Sequence, residues 1–400
     1  MRERYSLRSY LAGAVAARAG DEMSGPALML AGFAVAGSTV EASSLLAGIT
    51  VSAAVGGPVL GAFLDRAARP GRLLAGALVL YATGLGVLLG GLGRWPFVVT
   101  IAVAVVTGLL GPALSGGWTA QLPRVVPGDR LPRANALDAM TFSAASLAGP
   151  ALAGVVAEAL GAPPAVVVSV VLITLALPAA WRLPARPGRA RGARTAPLIS
   201  DLAAGARIII GRPSLARATL TSVISCVAQG MLTACVPLLG ERVLGGVGRG
   251  AMLLSCTAVS ALAANAVLTR FARSVAPETI IWTSALVQAA ALALATADSA
   301  VTLIVAALVL GVGEGPQLAA VFAIRHREAP GDLRGQIFTT GASLKITGFA
   351  VGAAVAGPVA TRSLPTALAL AAGVAALAAL GFFAVPSATG HSSEDRALSG

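Results

Sequence analysis

Residues 308–358 read LVLGVGEGPQLAAVFAIRHREAPGDLRGQIFTTGASLKITGFAVGAAVAGP. Two long apolar runs flank a basic loop, and each run carries one ionisable residue, Glu314 in the first and Lys345 in the second. A helix rises about 1.5 Å per residue, so roughly 20 apolar residues cross the roughly 30 Å of hydrocarbon in a bilayer. Both runs reach that length. The stretch therefore predicts two membrane-spanning helices joined by a short cationic turn.

A weaker copy stands earlier in the chain, VVTGLLGPALSGGWTAQLPRVVPGDRLPRANAL at 105–137. Pro112 corresponds to Pro316, 204 residues on, and Pro127-Gly128-Asp129 to Pro330-Gly331-Asp332, 203 residues on. Asp65, Arg66 and Arg69 align at the first of these offsets with Thr269, Arg270 and Arg273. Such self-similarity predicts two related halves. Glu314 and Lys345 have only Leu110 and Thr141 opposite them. The repeat supplies a frame, and the unmatched charges are candidates for function.

Composition agrees. Of 400 residues 56% are hydrophobic and 12% charged, with mean hydropathy +0.83, which places the chain among polytopic membrane proteins. A net charge of +12 invites a nucleic-acid reading, but the arginines sit in short gaps between apolar runs and aromatics are only 4%, so no basic face with stacking readers emerges. Cys226, Cys235 and Cys256 lie in apolar runs and form no CxxC pair; they are expected to be small buried hydrophobes. His326 and His391 fall in a loop and in the tail, so no cofactor or metal is expected. No P-loop is present, which argues against ATP drive, and no nucleophile–base arrangement suggests an enzyme.

Twelve apolar runs qualify as spans: 9–36, 43–64, 73–92, 96–119, 134–158, 162–181, 215–239, 251–271, 279–297, 301–324, 335–360 and 365–385. The first continues past Arg18, Asp21 and Glu22, and is expected to be an uncleaved helix. None alternates like a barrel strand, so the expected fold is all-α. The arginines occupy alternate gaps: Arg2, Arg4 and Arg8; Arg66, Arg69 and Arg72; Arg124, Arg130 and Arg133; a cluster from Arg182 to Arg212; Arg270 and Arg273; Arg325, Arg327 and Arg334. By the positive-inside rule both termini and the central linker are cytoplasmic. Heavy Arg and Ala usage suggests a GC-rich bacterial genome, and the expected location is the bacterial cytoplasmic membrane. The expected organisation is a six-helix bundle at 1–181, a linker at 182–213, a second bundle at 214–386 and a disordered tail at 387–400. Within the linker, Leu198, Ile199, Leu202, Ile209 and Ile210 suggest a helix with one apolar face, lying at the headgroups or packed on loop ends.

Between the second and third spans stands Gly61-Ala-Phe-Leu-Asp65-Arg66-Ala-Ala-Arg69-Pro-Gly-Arg72. It resembles the signature loop of the major facilitator superfamily, matching at Gly61, Asp65, Arg66 and Arg69, with Ala68 and Pro70 departing from the usual pattern. A carboxylate at a helix end can pair with arginines and helix termini of the partner half and close the cytoplasmic side. The fifth span carries Gly149, Pro150 and Gly154, similar to the antiporter motif of drug-efflux members, with Ala145 and Ala153 where glycines are usual. The segments 133–137, 201–220 and 334–345 also look like bacterial twelve-helix drug and siderophore exporters. The resemblance implies two pseudo-symmetric six-helix bundles working as a monomer, with helices one, four, seven and ten around a central cavity.

Charged groups inside a bilayer cost roughly 2.5–3.5 kcal/mol each on insertion scales, so each needs a reason. Arg18 precedes Asp21 and Glu22 at helical spacing and can reach both. Glu314 and Lys345 lie at matching depth on antiparallel helices and can form a structural pair. Gly311, Gly313, Gly315 and Pro316 suggest a broken or flexible helix at midplane, as transporter sites have. Asp138 is expected to snorkel at the interface. Arg18, Asp21, Glu22, Glu314 and Lys345 are thus the candidates for proton coupling and the substrate cavity, and their charges sum to a slight lean toward cations or zwitterions. The expected function is proton-coupled export of a small amphipathic molecule. An uptake symporter and a non-transporting receptor are the alternatives.

Overall fold

The computed structural model describes residues 5–36, 39–185, 198–245, 247–271, 274–297 and 299–385. The expectations for Arg2, Arg4, the Pro- and Arg-rich start of the linker and the tail from 387 lie outside the described residues. The first half comprises α1 (Leu7–Ala36), α2 (Thr39–Arg66), α3 (Pro70–Gly91), α4 (Phe97–Gly108), α5 (Leu131–Leu160) and α6 (Ala162–Leu175), the last continued by a short turn at Leu177–Trp181. A linker helix (Leu198–Gly211) leads into the second half: α7 (Pro213–Val243), α8 (Ala251–Phe271), α9 (Pro277–Leu294), α10 (Ala300–Glu328), α11 (Arg334–Arg362) and α12 (Leu364–Ala384). Among the described residues eleven helical segments are long and apolar enough to cross a membrane. The twelfth is α1, 30 residues long, excluded from that set by its charges.

Most helices outrun the apolar stretches that announced them by two to four residues, because polar ends continue the hydrogen-bond ladder beyond the hydrocarbon. The predicted break at Gly311–Pro316 is absent: α10 is helical throughout. The distortion falls in α4, which loosens after Gly108 and winds into a π-helical turn, Ala113–Gly117, just past Pro112. The glycines of α10 serve packing instead, Gly313 against Ser284 and Gln288 of α9 and Gly315 against Ala261 and Asn265 of α8.

Each half has its own core, one containing Tyr10, Leu78, Leu85, Trp118 and Ile173, the other Leu232, Leu239, Leu310 and Leu368. The halves meet where α2 runs along α11 and α5 along α8. At these crossings small residues let backbones touch. Gly61 of α2 abuts the Gln336 backbone, and within the second half Gly352 of α11 abuts the Val227 carbonyl of α7. The perimeter exposes Val98, Val106, Leu160, Leu175, Leu377 and Leu380, an apolar surface suited to lipid.

The linker helix packs on α2, α7 and α11. Its expected single apolar face is divided: Ile209 turns inward with Asp201 and Gly205, whereas Ile199 and Ile210 face outward, each 77% exposed. Asp201 explains the rotation, because it turns toward the protein to meet Arg66 at 2.8 Å. Arg212 is extended before Pro213, which separates this helix from α7. Its side of the molecule is called the linker face below, and the other the distal face.

The crossings make a paired prediction. Gly352→Ala forces a methyl group into the Val227 carbonyl and lowers stability by about 1–3 kcal/mol. Gly357→Ala, with nothing within 4 Å, leaves it unchanged or raises it by up to about 1 kcal/mol through helix propensity. Thermal unfolding of the two purified variants checks both.

Candidate functional site

A cavity of about 540 Å³ lies between the halves. Its wall carries Glu22 of α1, Ser146 and Pro150 of α5, Gln229 of α7, Thr257 of α8, Glu314 of α10 and Lys345 of α11. Phe142, Gln317, Leu318 and Val321 form its floor on the side toward the linker. Below the floor, Ala120, Ala136 and Ala139 of the first half interlock with Ala319, Phe322 and Phe338 of the second. Phe322 stands 5.6 Å from Phe142 and 5.9 Å from Phe338, ring centre to ring centre. This aromatic plug seals the halves together.

Arg18 does not serve its helix neighbours. Its guanidinium lies beneath the floor, 3.7 Å from the centre of the Phe142 ring, and bonds to Asp138 of α5 at 2.9 and 3.3 Å, to Thr119 at 2.8 Å and to Thr141. Asp138 also accepts from Thr119 at 2.8 Å. Arg18 is 2% and Asp138 0% exposed, so the snorkelling expected of Asp138 is corrected to a buried ion pair. The reason is depth. Arg18 is 11 residues into α1 and Asp138 only 7 into α5, both counted from the linker face. The gap is about 6 Å, which an arginine leaning toward its helix N-terminus spans.

Asp21 is likewise turned from the cavity, accepting from Tyr81 of α3 at 2.8 Å; the Tyr81 hydroxyl also lies 3.0 Å from Ser24. Among the five predicted site residues the cavity therefore gathers Glu22, Glu314 and Lys345, and leaves Arg18 and Asp21 behind the wall. Helix α4 contributes no residue to the lining. Ser146 is the hydrogen-bond partner of Glu22. Glu314 and Lys345 feel each other electrostatically, but no ion pair joins them, so both heads remain available to a ligand.

Sequence reasoning missed an amide chain in the second half. Gln229 Nε2 donates to Gln288 Oε1 (3.3 Å), Gln288 Nε2 to Gln317 Oε1 (3.1 Å), and Gln317 Nε2 to Ser225 Oγ (3.1 Å). The Ile281 carbonyl, 3.5 Å from Gln317 Nε2, can only accept, and so sets the direction of every donor above it. Three glutamines within apolar runs were the available signal, since unpaired amides are costly in hydrocarbon.

At the linker face Asp65 accepts from the backbone N–H groups of Gly335 and Gln336, both at 2.8 Å, where α11 begins. A carboxylate there meets free amide donors and the positive end of the helix dipole. Arg66 pairs with Asp201 of the linker helix at 2.8 Å, Gly61 allows the close approach, and Arg69 is exposed. In α5, Gly149 packs on Glu22 and Pro150 faces the cavity, but Gly154 has open space around it, so close packing is not its role. Among the described residues no three His, Cys, Asp or Glu side chains converge as metal ligands.

Removing one partner of a buried ion pair strands the other. Asp138→Ala is expected to cost about 3–5 kcal/mol, and the double change Arg18→Met, Asp138→Leu to recover most of it. Unfolding followed by the fluorescence of the nearby Trp118 tests this.

Comparison with known proteins completes the picture. The family model of the Major Facilitator Superfamily matches residues 10–338. A protein of Sinorhizobium fredii (strain NBRC 101917 / NGR234), described as an uncharacterized MFS-type transporter, is 28% identical over 306 residues, 75% of this chain and 74% of its own. The crystal structure of the human organic anion transporter MFSD10 (TETRAN) superposes with a TM-score of 0.78 at 15% identity, over 96% of this chain and 100% of that one. A bacterial homologue of the iron transporter ferroportin, crystallised in an outward-facing state, gives 0.76 at 15% identity, over 94% and 98%. At such identities the structures speak for the fold, and the family model speaks for descent. The chain belongs to the Major Facilitator Superfamily.

Proposed function

We propose that this membrane transporter exports a small amphipathic molecule in exchange for protons, by alternating access. The observation that carries the reading is the placement of two carboxylates, Glu22 and Glu314, on facing halves of one interdomain cavity, with Lys345 beside them. A carboxylate that gains a proton loses its charge and with it its hold on a cation such as Lys345, so each proton bound changes the charge that the wall offers a substrate. The arginine-rich linker face is taken as cytoplasmic, in a bacterial cytoplasmic membrane, with both termini on that side. The units that move are then the bundles at 1–181 and 214–386, acting as a monomer.

In this conformation the halves are locked at the linker face by Asp65, by the aromatic plug and by Arg66 on Asp201, and the cavity lies on the distal side of the lock. Opening toward the cytoplasm requires all three to part. Each is a discrete contact, which suits a two-state rocking motion. The likeness of Gly149-Pro150 in α5, and of the segments 133–137, 201–220 and 334–345, to exporter sequences supports outward movement.

Two measurements test this. In inside-out vesicles with an acidified lumen and a pH-sensitive dye, substrate panels should alkalinise the lumen with wild type and fail to do so with Glu314→Gln. Response in both equally removes Glu314 from the coupling, and response in neither removes proton-linked export itself. Independently, Asp65→Asn weakens two charge-assisted bonds worth at least about 2 kcal/mol together, a factor of roughly 30 in the closed-to-open ratio at the linker face. Pulsed electron–electron distances between spin labels at the exposed Arg69 of the first half and Arg270 of the second should lengthen accordingly.

A further inference from the structure

Two arginines lie below the cavity floor, one in each half, and they are treated differently. Both Nη atoms of Arg18 meet acceptors on Asp138, Thr119 and Thr141, and only its Nε lacks a partner among the described residues. Arg325 of α10 is equally buried, at 2% exposed, yet its Nε and Nη2 have no hydrogen-bond partner among the described residues. Its guanidinium rests against Gly341 of α11, where there is no room for a Cβ, and stands 5.8 Å from the centre of the Phe338 ring. No carboxylate answers it among the described residues.

The direction of this side chain is informative. Helix α10 descends from the distal face to the linker face, and helical side chains lean toward the N-terminus. Arg325 therefore reaches back toward the floor, where Val321 sits one turn above it. Its electrostatic neighbour there is Cys226, which lines the cavity. On α11, Gly341 stands one turn below Lys345. The second half thus holds two cations on neighbouring turns, Lys345 in the cavity wall and Arg325 buried just beneath the floor.

The fold does not require this charge. In the first half, 204 residues earlier, the equivalent position is Gln121, a buried neutral amide. A buried guanidinium with unmet N–H groups is unfavourable unless something supplies the acceptors, and the planar fork of an arginine fits a carboxylate or phosphate with two parallel bonds. Without Arg18 and Asp21 the cavity charges of Glu22, Glu314 and Lys345 still sum to −1, and the Arg325 guanidinium beneath the floor brings that sum to zero, so the lean toward cations ends only when this arginine is counted.

We propose that Arg325 receives the acidic group of the transported molecule, and that the substrate is an amphipathic organic acid. Its acid sits at the floor between Arg325 and Lys345, and its apolar body lies against Leu232, Leu254, Leu310 and Phe349 on the distal side. This rests on the transport reading above and narrows its substrate class.

The test uses the purified full-length protein and four probes at constant ionic strength: benzoate, phenyl phosphate, benzamide and benzylamine. Benzoate or phenyl phosphate should raise the thermal midpoint of the wild type saturably, while benzamide and benzylamine should not. Arg325→Gln should weaken that protection at least about tenfold, and Arg325→Lys, which keeps the charge but loses the fork, should fall between. In the absence of any acid, Arg325→Gln should melt no lower than the wild type, since it removes an unmet charge; a merely structural arginine would lower it. Acids that protect Arg325→Gln as well as the wild type, or that protect neither, overturn the proposal. Binding here needs no transport: acid-dependent protection without counterflow in proteoliposomes would sink the transport reading alone. Proton-linked movement confined to benzylamine-like compounds would sink the acid site alone.

Discussion

A guanidinium buried inside a bilayer must find its counter-charge within the protein or on a ligand, because the hydrocarbon offers none. The bond between Arg18 and Asp138 meets that constraint, and much of the first half is arranged around it. It ties α1 to α5, recruits Thr119 from the end of α4, and carries Phe142 as a lid that becomes the cavity floor. Removing water strengthens each of these bonds and raises the cost of leaving one unmade. A single ion pair therefore fixes where the cavity ends.

The contact between halves follows a different rule. With lipid as apolar as leucine, burial gives helices little reason to associate, and close packing and polar contacts must do so. Along α2 and α11 both are present on the linker side: Gly61 against the Gln336 backbone, Ser343 donating to the Ala53 carbonyl at 2.5 Å, and Asp65 on the start of α11. These contacts are short-ranged and directional, so a small rotation loses them together. An interface built this way closes firmly yet can open as a unit.

The frame was legible because it is written in long-range patterns. Apolar runs of spanning length, arginines in alternate gaps and the 204-residue repeat do not depend on side-chain detail. Glu314 and Lys345 were legible too, as charges with no mate in the repeat, and the structure brings both to the cavity with Glu22. The partners of Arg18 were not. Local spacing favours Asp21 and Glu22, but Asp138 lies on another helix at the right depth, and α3 offers Tyr81 to Asp21 instead. The kink was misplaced for a similar reason. Proline and glycine occur in both α4 and α10, and only packing decides which helix yields: in α10 the glycines are held between α8 and α9.

The repeat also shows how one scaffold acquires unequal halves. In the first half the buried charges find partners, Arg18 in the Asp138 carboxylate and Asp21 in a hydrogen bond from Tyr81, leaving Glu22 as its charged cavity residue. In the second half Glu314 and Lys345 share the cavity without closing on each other, and a neutral amide chain from Gln229 to Ser225 stiffens the wall behind them. Amides satisfy one another without net charge, so they hold geometry and leave the field in the cavity to the ionisable groups. The first half is thus mainly an anchor, and the second presents most of the unneutralised charge to whatever enters.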